Sequence, residues 1–230
     1  QMNNNSKKHI IELENVHVSL KSNVETVNIL KGINLKILKD NSISVIGESG
    51  AGKSTLAMTI AGLELISKGK IFFKGVAIHD LEEDELANYR SKNVGIIFQS
   101  FNLLPSMTAL ENVNLPNQIS GVLIDDKKGT ELLKSVGLKK RLNHYPHQLS
   151  GGEQQRVAIA RSLISSPEII IADEPTGNLD KRNSEEVMKL IFKLQSDFAS
   201  TLILVTHDET IAKQCNKIIK LDNGLIVKDE

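Results

Sequence analysis

The chain has 230 residues, with 28 Lys plus Arg against 28 Asp plus Glu, 40% hydrophobic and 3% aromatic residues, and no Trp. That length suits one large domain or two small ones and supports a sizeable core. The even charge balance argues against a nucleic-acid binder held by phosphate charge, and the scarcity of aromatic rings argues against a base-stacking platform.

Residues 10–20 carry Ile11, Leu13, Val16 and Val18 in a strand pattern with an irregularity near Asn15. Residues 21–25 are polar and turn-like. Ile33, Leu35 and Ile37 then alternate with Asn34 and Lys36, which predicts a half-buried strand. Lys39-Asp40-Asn41 turns the chain into Ser42-Ile43-Ser44-Val45-Ile46, a short buried strand. At least part of this first sheet is expected to be antiparallel.

The next eight residues are Gly47-Glu48-Ser49-Gly50-Ala51-Gly52-Lys53-Ser54, which is G-x-x-x-x-G-K-[ST] without a deviation. Thr55 opens a helical stretch that Gly62 closes. Strand, glycine loop and helix is the context in which this motif cradles a phosphate chain. The glycines let backbone N–H groups face an anion, and the helix N-terminus adds its positive dipole end. Lys53 supplies a charge for the β- and γ-phosphates, and the Ser54 hydroxyl suits Mg²⁺.

Residues 70–75 read as another strand, residues 82–92 as a helix acidic at its front and basic at its end, and residues 94–98 as a strand ending at Gln99. From Ser100 strand signals vanish until about Ile169. Residues 103–113 and 125–136 read as helices separated by Pro116 and Gly121, within a mainly helical insertion. His144 and His147 flank Pro146, which prevents a shared helix face and points to a surface loop rather than a metal pair. Residues 154–163 form a clear helix with Val157, Ala160 and Ile164 on one face. Residues 183–198 are amphipathic, with Val187, Leu190, Ile191, Leu194 and Phe198 on one side. Leu202 to Val205 is a buried strand ending at Thr206-His207, and Asp222-Asn223-Gly224 is a hairpin turn between the last two strands. The single cysteine, Cys215, excludes an internal disulfide and is expected to be a small buried residue.

Three further stretches carry chemistry. Ile169 to Ala172 predicts a buried strand whose end delivers Asp173, a Mg²⁺ holder, and Glu174, a group that polarises the attacking water. Gln99 and His207 each end an apolar strand; one can orient water or ligate metal, and the other can hydrogen-bond a terminal phosphate. Leu149-Ser150-Gly151-Gly152-Glu153 opens a helix and makes a second anion-binding N-terminus.

On these strings the chain resembles the nucleotide-binding domain of an ABC transporter over nearly its whole length. Gly47 to Ser54 resembles Walker A, Gln99 the Q-loop, Leu149 to Glu153 the LSGGE signature, and Ile169 to Asp173 Walker B. Glu174 stands where the family has its catalytic carboxylate, Asn178-Leu179-Asp180 resembles the D-loop, and His207 the H-loop. The resemblance implies an α/β fold: a P-loop NTPase (RecA-like) core, an antiparallel β subdomain and an inserted helical subdomain. It implies one ABC ATPase domain over 1–230, with core and β subdomain at about 10–98 and 160–230 and the helical subdomain at about 99–159. It further implies ATP and Mg²⁺ as cofactors, with Ser54, Gln99 and Asp173 toward the metal, and Gly47 through Thr55 with Leu20 toward ATP. Two copies would sandwich two ATP molecules, with Ser150, Gly151, Gly152 and Glu153 completing the site of the other copy.

Longer strings, Val94 to Pro105, Thr108 to Val113 and Ala172 to Asp180, are similar to the lipoprotein-release and macrolide-exporter branch. That implies transmembrane permease partners and a place on the cytoplasmic face of the cell membrane, since no stretch reaches the length of a membrane span. Leu20 departs from the family's pattern, which places an aromatic ring there to stack on adenine; weaker adenine affinity or looser base selectivity is expected. The alternative reading is a soluble ABC ATPase of DNA repair or translation. That class usually needs a coiled-coil insertion or tandem cassettes, and only one cassette is present.

Overall fold

Alternating apolar residues build the first sheet. In the computed structural model, which describes residues 9–21 and 25–230, β1 (His9–Lys21) and β2 (Thr26–Leu38) pair antiparallel. The turn expected at 21–25 lies mostly outside the described residues. Val16, Val18, Ile33, Leu35 and Ile37 are buried. The irregularity expected near Asn15 is a bulge: Asn15 has φ 47, and the pairing shifts register between Leu13 and Val16. Asn34 Oδ1 accepts the Asn15 N–H at 2.9 Å, so the amide that leaves the ladder keeps a partner. β2 starts well before the alternation at Ile33. Its first residues are exposed, so no apolar pattern announces them.

The chain divides into two compact units, Gln1–Leu86 with Ile203–Glu230, and Ala87–Leu202. In the first, β4 (Lys68–Phe73) and β5 (Val76–Ala77) complete an antiparallel sheet of order β2-β1-β4-β5. The two-residue β5 was not expected; Lys74 and Gly75, with φ 50 and 80, turn the chain back on β4. β3 (Ser42–Ile46) pairs parallel with β9 (Lys217–Asp222). Asn216 Oδ1 accepts from both the N–H and the hydroxyl of Ser42, at 2.8 and 2.9 Å, and sets this register. β9 and β10 (Leu225–Asp229) form the expected hairpin, with Asn223 and Gly224 at φ 46 and 77. β8 (Thr201–Val205) is buried throughout. α1 (Lys53–Ile60) follows the glycine loop, and α7 (Glu209–Ala212) follows β8. Cys215 is half-buried rather than buried, and burial pushes its thiol up to about 11. The thiol is therefore protonated near neutrality.

α2 (Glu83–Asn93) has the acidic start and basic end read from its sequence. In the second unit, β6 (Val94–Phe98) and β7 (Ile169–Asp173) pair parallel. Gly95 lets α5 (Gly151–Ser162) approach β6: a Cβ there would lie 2.1 Å from the Ser162 carbonyl oxygen. α5 is buried nearly all round, at Gln155, Val157, Ala158, Ile159, Ala160 and Ser162, and not on a single face. α4 (Asp126–Ser135) is capped by Asp125. α6 (Lys181–Asp197) buries Val187, Met188, Ile191 and Leu194, while Leu190 and Phe198 are half-buried.

The helix expected over 103–113 is displaced. α3 (Ala109–Ile119) begins at a capping box made by Thr108 and Glu111 and runs through Pro116. The buried Asn112 side chain explains the late start. It accepts from the Leu104 N–H at 2.8 Å and donates to the carbonyls of Leu104, Met107 and Thr108 at 3.1, 3.0 and 3.0 Å. Those bonds hold the lead-in as an irregular loop. Pro116 forgoes only the helical bond to the Asn112 carbonyl, and α3 continues for three more residues.

Candidate functional site

The glycine loop lies in the first unit. Gly47, Gly50 and Gly52 have φ 152, 81 and 101. Two of them are also sterically required. A Cβ on Gly47 would lie 2.2 Å from the Leu221 carbonyl oxygen, and one on Gly52 would lie 2.9 Å from Leu30 Cδ2. The loop is backed by the last hairpin: Gly224 N–H donates to the Ala51 carbonyl at 3.1 Å, and Lys31 N–H donates to the Gly224 carbonyl at 2.9 Å. Lys53 Nζ donates to the carbonyls of Gly47 and Glu48, both at 2.9 Å. The loop thus curls around its own ammonium group, while Glu48, Ser49, Gly50 and Ser54 are exposed and Thr55, within α1's first turn, is half-buried.

Two other expected residues belong to this unit. Leu20 pairs with Val27 across the β1–β2 ladder and is 49% exposed. His207 is exposed directly after β8. Its neighbour Asp208 caps α7 by accepting from the N–H groups of Thr210 and Ile211 at 2.7 and 3.2 Å. Burial pushes the Asp208 carboxyl up, but those N–H groups outweigh it and hold its pKa below the ordinary value.

The second unit holds Gln99, the signature, Asp173 and Glu174. Ser150 caps α5, which follows from the S-x-x-E spacing. Ser150 Oγ accepts the Glu153 N–H at 3.2 Å, and Glu153 Oε2 accepts the Ser150 N–H at 2.9 Å. Arg141 Nε donates to Glu153 Oε1 at 2.9 Å. The Ser150 N–H, with Arg141 adding to it, holds the Glu153 carboxyl below its ordinary range against a partial burial that acts the other way. Ser150 and Gly151 are exposed, whereas Gly152 is buried and packs close to Asn183, whose Oδ1 would lie 2.7 Å from an added Cβ.

Gln99 Nε2 donates to Asn178 Oδ1 at 3.3 Å, and Asn178 Nδ2 donates to the Gln99 carbonyl at 3.1 Å. Gly177 packs beside them: a Cβ would lie 2.5 Å from Gln99 Nε2 and would push that exposed side chain aside. Asp173 ends β7 half-buried. Glu174 follows with φ 47, in a turn closed by the Gly177 N–H on the Glu174 carbonyl at 3.0 Å. Asp180 caps α6 through the Asn183 N–H at 3.0 Å. That N–H and the Asn183 amide lower its pKa.

Two polar residues of α5 were not singled out from the sequence. Gln155 is fully buried and donates from Nε2 to the carbonyls of Phe98, at 3.3 Å, and Pro175. Arg161 donates to the carbonyls of Phe101 and Asn102. Both sit inside a Q-Q-R…A-R string whose polarity in an apolar helix was the available signal. Of the paired histidines, His144 lies 3.2 Å from Arg141 Nη1 and His147 stacks on Tyr145.

The family model described as ABC transporter matches residues 30–177. The chain is 42% identical to the "Lipoprotein-releasing system ATP-binding protein LolD" of Bacteroides fragilis, over 95% of this chain and 100% of that one. It is 44% identical to the "Macrolide export ATP-binding/permease protein MacB" of Bdellovibrio bacteriovorus, over 96% of this chain and 34% of that longer one. Among solved structures, the ADP- and Pi-bound post-hydrolysis dimer of the ATP-binding cassette MJ0796, from Methanocaldococcus jannaschii, matches with TM-score 0.88 and 39% identity, covering 96% of this chain and 97% of that one. The chain belongs to the ABC transporter family, as an ATP-binding cassette with a P-loop NTPase core, an antiparallel β subdomain and a helical subdomain.

Proposed function

We propose that this cassette hydrolyses ATP as a pair of copies and so drives a membrane permease of the lipoprotein-release or macrolide-export type. The observation that carries the reading is the full-length likeness to a lipoprotein-releasing ATP-binding protein, together with an uninterrupted set of motif residues. The whole of 1–230 then acts as one ATPase domain, with about 99–159 as its helical subdomain.

The residue roles follow from chemistry. The backbone N–H groups of the glycine loop and Lys53 bind the phosphates. Lys53 must leave the loop carbonyls that it now contacts, an exchange of neutral acceptors for anionic ones that favours the nucleotide. The Ser54 hydroxyl, the Asp173 carboxylate and the Gln99 amide oxygen are hard oxygen donors, a set that fits Mg²⁺. Bound there, the ion would neutralise phosphate charge. Glu174 polarises the attacking water, and His207 hydrogen-bonds the terminal phosphate. Leu20 packs the base.

Ser150 and Gly151 are exposed at a helix N-terminus whose own Glu153 is already engaged with Ser150 and Arg141. Such an end suits the phosphate of another copy's ATP. The dimeric ADP- and Pi-bound neighbour supports that arrangement. Among the described residues no helix is long and apolar enough to cross a membrane. Attachment to the cytoplasmic face of the membrane therefore goes through the permease.

The test is a pull-down of Glu174→Gln from native membranes with ATP, read by mass spectrometry. A co-purified permease with a large extracytoplasmic domain is expected. A permease of another architecture would remove the branch assignment. Ribosomes or DNA-repair proteins, with no membrane protein, would overturn the transport reading.

A further inference from the structure

The loop that carries Gln99 is held from outside as well as by its own backbone. Phe101 and Asn102 stand consecutively at φ 61 and 51, the left-handed region that L side chains rarely adopt. Two local backbone bonds help to fix them: Phe101 N–H reaches the Phe98 carbonyl at 3.3 Å and Asn102 N–H the Ser100 carbonyl at 2.6 Å. A further restraint comes from α5. Arg161 Nη2 donates to the Phe101 carbonyl at 2.7 Å, and Arg161 Nη1 donates to the Asn102 carbonyl at 2.5 Å. A planar guanidinium suits two successive carbonyls in a way a point charge does not. One side of the loop is tied further up the same helix, where Gln155 Nε2 donates to the Phe98 carbonyl. The Gln155 amide also donates to the Pro175 carbonyl, next to Glu174.

We propose that Arg161 is a positioning residue for Gln99, acting beside the direct Asn178 contact: its fork holds Phe101 and Asn102 in their left-handed conformation and so helps to set where the Gln99 side chain stands. Arg161 acts through the loop backbone and need not touch nucleotide. This rests on the reading of Gln99 as a residue that orients water or metal. It gives the signature helix a share in the loop's shape beside the loop's own backbone bonds.

The test compares ATP turnover of wild type, Gln99→Ala, Arg161→Lys and the double variant, with hydrogen exchange of the nucleotide-free protein. Arg161→Lys keeps the charge and loses the fork. It is expected to lower kcat about tenfold with KM for ATP within about twofold, and to speed exchange in residues 98–104 without affecting α6. In the Gln99→Ala background it is expected to cost nothing more, because both changes remove the same positioned amide. Asn102→Val, at an exposed loop position, puts a β-branched residue where φ is positive. It is expected to reproduce the kcat loss with only the small fall in Tm that one strained loop residue brings, which keeps the test decisive if an Arg161 variant misfolds. An Arg161→Lys loss that adds fully to Gln99→Ala, or unchanged exchange in residues 98–104, would overturn the proposal. Wild-type kcat in Gln99→Ala alone would instead overturn the role of Gln99, whatever the exchange data show for the loop.

Discussion

Gln99 and Asn178 hold each other by two hydrogen bonds, amide to amide oxygen at 3.3 Å and amide to backbone carbonyl at 3.1 Å. Both are exposed, so water can replace either bond and the net stabilisation is modest. Position is the larger effect. Asn178→Ala is expected to cost under about 1 kcal/mol of stability and about tenfold in kcat, the equivalent of about 1.4 kcal/mol of barrier. Denaturant melts beside steady-state kinetics check this. A loss of unfolding free energy as large as the rise in barrier would count against a positioning role.

The glycine loop separates two reasons for glycine. A Cβ on Gly50 meets nothing within 4 Å, so Gly50→Ala bears only the cost of φ +81, about 1–2 kcal/mol. Gly52→Ala adds contacts at 2.9 Å to Leu30 Cδ2 and 3.3 Å to the Ile29 carbonyl oxygen, at φ +101. Urea unfolding is expected to rank Gly52→Ala as clearly the more destabilised. The opposite ranking would contradict the geometry.

The Glu153 carboxyl sits below its ordinary value because it accepts the Ser150 N–H and meets Arg141. A carboxyl whose pKa is lower folded than unfolded stabilises the fold above the unfolded pKa, and that contribution fades as pH falls through the folded pKa. Glu153→Gln keeps a capping acceptor but removes the charge. The stability gap between wild type and Glu153→Gln is therefore expected to be level from pH 7 to about 5 and to shrink at lower pH. Thermal melts across that range check it; a gap that widens toward acid would contradict it.

Leu20, half-exposed opposite Val27, offers an adenine only aliphatic contact. Base–aromatic stacking contributes about 1–3 kcal/mol. Leu20→Tyr is expected to tighten ATP binding about fivefold or more and to raise the preference for ATP over GTP. A strong ATP preference already present in the wild type would count against this account of Leu20.

What was legible in the sequence was local. Strand, glycine loop and helix from Ser42 to Gly62 are set by neighbours in the chain, and so is the Asn223-Gly224 turn, while the Ser150–Glu153 cap starts α5 three residues before the expected Gln154. What was not legible depends on distant partners. The late start of α3 is imposed by the Asn112 side chain, and Pro116 is tolerated within the helix that follows. β5 exists only because β4 lies beside it. The exposed start of β2 has no pattern of its own. Gln155 and Arg161 look like ordinary polar helix residues until α5 is seen buried against the Gln99 loop.

The central claim is ATP-driven pairing followed by hydrolysis at Glu174. The most direct measurement is ATP turnover of wild type and Glu174→Gln, with sedimentation velocity of both in ATP. The account predicts that Glu174→Gln loses at least about 100-fold in kcat, within the range a positioned acid–base group contributes, and sediments as a dimer only when ATP is present. Wild-type turnover by Glu174→Gln, or a variant that stays monomeric in saturating ATP, would contradict it.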